Sequence, residues 1–317
     1  VEYTPSDTKN VALLSVATMA AGFLVLAFPY VGFPAAAFAL GWVTYRFGLG
    51  PAAGLAVSVG VVVGVFGPSM LGTEVLDGVF VAVTLLAIGP LAAVLLKRFT
   101  ALNVAIGVAL IVTAAFLVAP IGAQTFALSK EMLAAFLTTQ ASASSVTDPA
   151  ALKAASESLL KMFSDTWIAS SFYTMGLSTL ISIPFVARAG RSLGQPVKSY
   201  GPLADADLTF HLVWPMILGL GLAALGTMWS QAPSWLLLTG DNVLRIVRSL
   251  LFIQGVAVFA AVYRKMKAGR VTKVIGFVLL ALTELFVPSV SVVGAVDLFA
   301  NLRKIPRAGT QPTVTSL

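Results

Sequence analysis

The sequence predicts an all-α protein, a polytopic bundle of about eight to ten transmembrane helices. Three observations predict it. Hydrophobic residues make up 58% of the 317-residue chain and charged residues 10%, with a mean hydropathy of +0.94; a water-soluble domain of this length needs far more polar surface. The apolar residues come in continuous runs, not in the ten-residue alternation of a β-barrel. The basic residues gather at alternate boundaries between runs, as the charge bias of membrane helices requires.

The runs lie at 11–29, 31–45, 50–68, 78–96, 102–119, 166–187, 211–230, 243–263, 274–287 and 289–301. A full crossing takes about 20 residues, or about 17 at the short end. The first run follows a polar leader with one lysine, so it reads as a retained span and not a cleaved signal. The first two runs are short and meet at Pro29 and Tyr30, with Pro34 close behind; the last two meet at Pro288. Each pair is either a tight hairpin or one kinked element. The basic residues favour hairpins. With a cytoplasmic N-terminus and ten crossings, the inner side receives Lys9, Arg46, Lys97, Arg98, Arg188, Arg191, Lys198, Arg264, Lys265, Lys267, Arg270, Lys273, Arg303, Lys304 and Arg307, fifteen of the twenty cations. Lys130, Lys153 and Lys161 fall outside, as do Glu74, Asp77, Glu131, Asp148, Glu157, Asp165 and Asp241. Both termini are therefore expected in the cytoplasm of a bacterium, with the chain in its inner membrane.

Residues 1–307 read as one transmembrane domain. Within it, 120–165 is an extracytoplasmic insertion of two amphipathic pieces around the linker TTQASASSVTD, and 308–317 is a polar tail expected to be disordered. Asp148-Pro149 predicts an N-cap with proline at the first helical position. Leu152, Ala155, Leu159, Met162 and Phe163 then recur at helical spacing. This piece is an interfacial cap helix or a gate over a substrate path.

The chain has no cysteine, which excludes disulfides and thiolate chemistry, and its only histidine is His211, which excludes a multi-histidine metal cluster. No phosphate-cradling loop is present. No metal, no cofactor and no catalysis are expected. Gly176-Leu-Ser178 superficially resembles a membrane serine protease, but a hydroxyl inside a span lacks a base within reach. The net charge of +7 serves to orient the helices; no aromatic-basic groove points to nucleic acid.

Two kinds of position stand out. Ala52, Ala56, Gly60 and Gly64 repeat at four-residue spacing, with a shorter version at Ala17 and Ala21. Such stripes let a second helix approach, either within the protein or on another subunit. The other kind is charge close to lipid: Arg245, Arg248, Glu284 and Asp297. Asp241 or Asn242 is read as capping the helix that carries the arginines, which either snorkel outward or bind an anionic group together with Asn242. Glu284 is expected to neutralise them across the bundle or to act as a proton or cation site, and Asp297 to pair with Arg303 or Lys304 at the inner surface.

The stretches FHLVWPMILGLGLAAL, GDNVLRIVRSLLFIQGVAVFAAVYRK and VVGAVDLFANLRK resemble the YybS-like family of polytopic bacterial membrane proteins. The resemblance covers about 205–305. Its motifs are matched by Asn242 with Gln254-Gly255, and by Gly294 and Asp297 running into Arg303 and Lys304. It implies a core distantly similar to the substrate-binding S-components of energy-coupling-factor transporters, in which small residues such as Ala17 and Ala21 would dock on a coupling subunit. The reading that follows is a non-catalytic subunit that binds or translocates a small or lipid-like solute, with membrane lipids and other membrane subunits as partners. The alternative is an assembly subunit of a larger inner-membrane complex. Because the chain is free of cysteine, single cysteines placed at Lys97 and Lys265 should both be labelled from the cytoplasmic face; labelling of either from outside overturns the topology.

Overall fold

A computed structural model describes residues 5–72, 74–143, 149–198, 200–208, 210–229 and 231–305. It is helical throughout, with no strand among the described residues. The chain divides into two compact units, Val1–Ser199 and Tyr200–Leu317.

The first unit contains α1 (Pro5–Ala27), α2 (Pro29–Phe47), α3 (Leu49–Leu71) and α4 (Asp77–Leu86). A π turn (Ala87–Leu91) leads on to α5 (Ala92–Leu95), followed by α6 (Ala101–Val118), α7 (Pro120–Ala143) and α8 (Pro149–Ser192). Pro90 lies in the π turn, where its missing N–H breaks the regular ladder. Phe33 and Leu40 of α2 are fully buried together with Val59, Leu85, Ile88 and Ile183. α2 is thus wrapped by helices on several sides, which is why its sequence is apolar almost all round. Only Phe28 separates α1 from α2, and Gly32 sits against the backbone of Leu24 and Val25, so this pair is a closed hairpin.

α8 differs from expectation. The amphipathic piece and the sixth apolar run are one helix of 44 residues. Nothing breaks it between Phe163 and Thr166: Ser164 and Thr166 direct their hydroxyls to the carbonyls of Leu160 and Met162 and keep the helix intact. α7 likewise runs through the first half of the expected linker, to Ala143. The expected Asp148 cap, residues 144–147 and the 308–317 tail lie outside the described residues.

The second unit opens with the 3₁₀ turns Leu203–Asp205 and Phe210–Leu212, then α9 (Val213–Met228), α10 (Ser234–Lys265), α11 (Arg270–Phe286) and α12 (Ser289–Ala300). α10 begins nine residues before the expected start at 243, because the run from Ser234 to Asn242, opening with the apolar Trp-Leu-Leu-Leu, supplies about two and a half more turns. Asp241 and Asn242 are therefore inside the helix and cap nothing. α11 and α12 are bent by 100° at Val287–Pro288, neither a closed hairpin nor a gentle kink.

Among the described residues, five helices can cross a membrane by length and composition, or six if the bent pair is one span, against the ten crossings counted from the sequence. α1 and α9 carry shorter apolar stretches, Leu13–Leu26 and Val213–Met228.

The tightest crossing lies between α10 and α12. A β-carbon on Gly294 would stand 1.9 Å from the Leu251 carbonyl oxygen, and one on Gly255 would stand 2.0 Å from the Val290 carbonyl oxygen. Only glycine permits this approach. Gly294→Ala is expected to destabilise the protein by about 2 kcal/mol or more, read as a lowered unfolding temperature in detergent. Gly221→Ala, on α9 with open space around it, should be neutral.

Candidate functional site

Of the expected arginine–glutamate cluster, the structure pairs Arg248 with Glu284, and this pair closes on itself. Arg248 Nε lies 2.9 Å from Glu284 Oε1, and its Nη2 donates to the Glu284 carbonyl at 2.7 Å. The Ser291 hydroxyl donates to the same Oε1. Oε2 accepts from the backbone N–H groups of Val290 and Ser291 at 3.0 and 3.1 Å. These are N–H groups of the first turn of α12, so Glu284 caps the helix that follows it across the Pro288 bend. Both carboxylate oxygens are engaged. Asn242, 1% exposed, turns inward and donates to Leu238 of its own helix, while Arg245 is on the exposed side of α10.

A second network is built on Asp297, which is fully buried. Arg303 reaches its Oδ2 with Nε at 3.0 Å and Nη2 at 2.9 Å, and the Arg303 side chain is 4% exposed. The remaining guanidinium hydrogens go to the Ala204 and Ala206 carbonyls at 3.0 and 2.7 Å and to Asp207 Oδ1 at 3.2 Å. Gln254 completes the set. Its Nε2 donates to Asp207 at 2.9 Å and to Asp297 at 2.8 Å, and its Oε1 accepts from Leu208 N at 3.0 Å. One guanidinium and one amide thus bind two carboxylates and the 204–208 segment to α10 and to the end of α12. Nearby, Arg264 pairs with Asp205 at 2.7 Å. The hydrogen bond from Arg264 holds the Asp205 carboxyl below its ordinary range.

Sequence reasoning picked out Gln254, Asp297 and Arg303 but missed Asp205 and Asp207. The available signal was the spacing Asp205-Ala-Asp207 in a short loop between two apolar runs.

The small residues pack inward. Ala52 and Ala56 are fully buried on α3, and Gly60 and Gly64 meet Gly78 of α4. A β-carbon on Gly78 would lie 2.3 Å from the Gly60 carbonyl oxygen. This stripe serves helix packing within the unit. Ala21 is also buried, whereas Ala17 is exposed. Ser178, fully buried, donates to Thr174 of its own helix, and His211 sits in the exposed turn before α9.

The first unit also contains a cavity that the sequence did not announce. About 300 Å³ in volume, it is floored by Val25, Leu26, Phe80 and Phe116 and roofed by Thr125 and Ser129 of α7. Trp167, Ser170, Ser171 and Thr174 of α8 form its side. A string of aromatic contacts holds the roof. Phe126 stacks on Phe163 at 5.8 Å, Trp167 meets both rings and Phe116, and Phe116 meets Phe80 edge-on at 5.8 Å. Each such pair contributes about 0.5–1.5 kcal/mol beyond burial. Asp77 fixes where α7 starts: fully buried, it accepts from Ile121 N at 2.7 Å and Glu74 N at 2.8 Å. A second cleft of about 440 Å³ between α4 and α6 has a wholly apolar lining that includes Phe80, Ile111 and Val118.

The cavity's chemistry is neutral. Five hydroxyls line it and no ionisable group does. Ser171 and Thr174 give their hydrogens to the Trp167 and Ser170 carbonyls and so offer only lone pairs. A ligand there would bring its own donor and a largely apolar body.

Removing one member of the Asp297 network tests its weight. Arg303→Gln leaves Asp297 buried without its cation and should cost on the order of 3–5 kcal/mol, seen as a lower unfolding temperature. Adding Asp297→Asn should restore part of that loss. If Arg303→Gln unfolds with the wild type, the network contributes nothing.

No curated protein and no solved structure matches the chain. Residues 12–298 match the family described as "Predicted membrane protein (DUF2232)", which covers both units and every network described above except its Arg303 end. The protein therefore belongs to that family of membrane proteins.

Proposed function

We propose that this membrane protein binds a small or lipid-like solute without performing chemistry on it, as a transporter-like binding or translocation subunit. The observation that carries the reading is the hydroxyl- and aromatic-lined cavity beneath α7 and α8. At about 300 Å³ it is at the lower end of the range of ligand pockets, and its mix of apolar walls and a few polar groups is the usual composition of one. The ligand is assigned here and not to Arg245, Arg248, Glu284 and Asn242. The Glu284 carboxylate is already consumed by Arg248 and by the cap of α12. The neutral lining selects an uncharged amphiphile with an alcohol or amide donor, since burying a full charge there without a partner is costly. α7 supplies the roof, which supports the gate reading of the 120–165 insertion over that of a passive surface helix.

The S-component likeness belongs to this proposal, as do the bacterial inner membrane and the cytoplasmic termini. The proposal includes no catalytic step; the cavity lining offers hydroxyls and no titratable base.

Native mass spectrometry from gentle detergent should show a co-purified amphiphile. Ser171→Phe and, separately, Ser170→Leu fill the cavity from its α8 side. Both should weaken retention at least ~10-fold, about 1.4 kcal/mol, with the fold retained by circular dichroism. Undiminished ligand in both folded variants overturns the site.

A further inference from the structure

The turn between α10 and α11 carries more positive charge than the C-terminal dipole of α10 asks for, which Arg264 and Lys265 in its last turn already meet. The ten residues from Arg264 to Lys273 contain five cations: Arg264, Lys265, Lys267, Arg270 and Lys273. Arg264 is occupied by Asp205. Among the described residues, the other four have no carboxylate within ion-pair distance, and all but the half-buried Lys273 are exposed.

Three of these cations are locally unfavourable. Lys267 has φ +52°, a left-handed conformation that glycine or asparagine adopts at lower cost. Arg270 and Lys273 stand in the first turn of α11, which holds no acid, although the helix dipole there disfavours cations. The turn is nevertheless held by specific contacts. Ala268 N donates to the Tyr263 carbonyl at 3.0 Å, and the Tyr263 ring meets Phe277 edge-on at 5.5 Å. Its hydroxyl fills the notch left by Gly276.

α11 continues from this collar with no buried residue at all. Val271, Val274, Val278 and Leu282 repeat along it, each about half exposed or more. From Val271 to Leu282 the helix rises roughly 17 Å at 1.5 Å per residue, close to the ~15 Å half-thickness of a hydrocarbon core. A cationic collar at one end of an apolar face of one leaflet's depth is complementary to a phospholipid, with phosphate at the collar and acyl chain along the helix.

We propose that the α10–α11 turn is a binding site for anionic phospholipid headgroups, held by Lys265, Lys267, Arg270 and Lys273. It is independent of the cavity proposed for the solute.

Lipid retention by the full-length protein, reconstituted in nanodiscs of phosphatidylglycerol or of phosphatidylcholine, tests this by native mass spectrometry after release. Phosphatidylglycerol should be retained in preference. At roughly 1 kcal/mol per cation near the surface, Lys267→Gly should weaken its binding about fivefold while leaving the unfolding temperature unchanged or raised. The triple variant with Arg270→Gln and Lys273→Gln should weaken it roughly 100-fold. Equal retention of the two lipids overturns the proposal, as does a folded triple variant that binds like the wild type. Stabilisation by inorganic phosphate equal to that by phosphatidylglycerol also overturns it, by assigning the cations to a free anion.

Discussion

Hydrocarbon offers no hydrogen-bond partner, and the architecture of both units follows from where this chain closes its polar groups. Most hydroxyls on the apolar helices are closed locally. Thr18, Thr44, Ser178, Thr179 and Ser182 each donate to the carbonyl four residues earlier, so a helix can carry them at no cost to its neighbours. Charges cannot be closed this way, because a carboxylate has nothing to donate and needs hydrogens from elsewhere. Each buried carboxylate therefore becomes a joint. Asp77 joins α4 to the start of α7, Glu284 joins α11 to α12, and Asp297 joins α12, α10 and the 204–208 segment. The few acids inside the greasy part of the chain mark the places where its helices are pinned.

This logic explains why the charged cluster in the second unit is structural. A free carboxylate facing a cation across a bundle could serve as a ligand or proton site. A carboxylate that also accepts two first-turn N–H groups cannot give up its oxygens without uncapping α12 at the Pro288 bend. Arg248 then balances the remaining charge, with its side chain 49% exposed, so their direct pairing contributes little beyond the cap. In the first unit the situation is reversed. Two of the cavity's five hydroxyls, Ser171 and Thr174, are already satisfied within α8, which loses nothing there when the space is empty and offers acceptors when a donor enters.

What could be read from the sequence was what is local or chemically unusual. The helical class, the hairpin at Pro29 and the pairing of Asp297 with a neighbour six residues away all rest on short-range signals. Gly255 and Gly294 stood out through the family resemblance, and their reason is the backbone contact between α10 and α12. The cavity left no such trace. Its roof depends on Phe126, Phe163, Trp167, Phe116 and Phe80 meeting across four helices, and aromatics in an apolar chain look alike whether they face lipid or each other. Asp77 and Asp207 were passed over for the same reason: their partners lie 44 and 47 residues away. The start of α10 was misread because Gly240-Asp241-Asn242 has turn-like composition, yet Gly240 is there to admit the backbone of Ala223 on α9.

The pairing of charges also gives a criterion for function that composition alone lacks. In the second unit Arg248, Arg264 and Arg303 each hold a carboxylate, and each can be assigned to a joint in the fold. Among the described residues, Lys265, Lys267, Arg270 and Lys273 are joined to no carboxylate, although Asp205 is close enough to take Arg264. An orienting charge bias needs only that cations lie on one side of the membrane; it does not require a turn held by specific contacts or a lysine in a left-handed conformation. A lysine held where glycine would fit better, beside cations at the wrong end of a helix dipole, is favoured when a negative charge outside the protein completes the site. In a membrane protein whose α11 has no fully buried residue, the phosphate of the surrounding lipid is the anion always at hand.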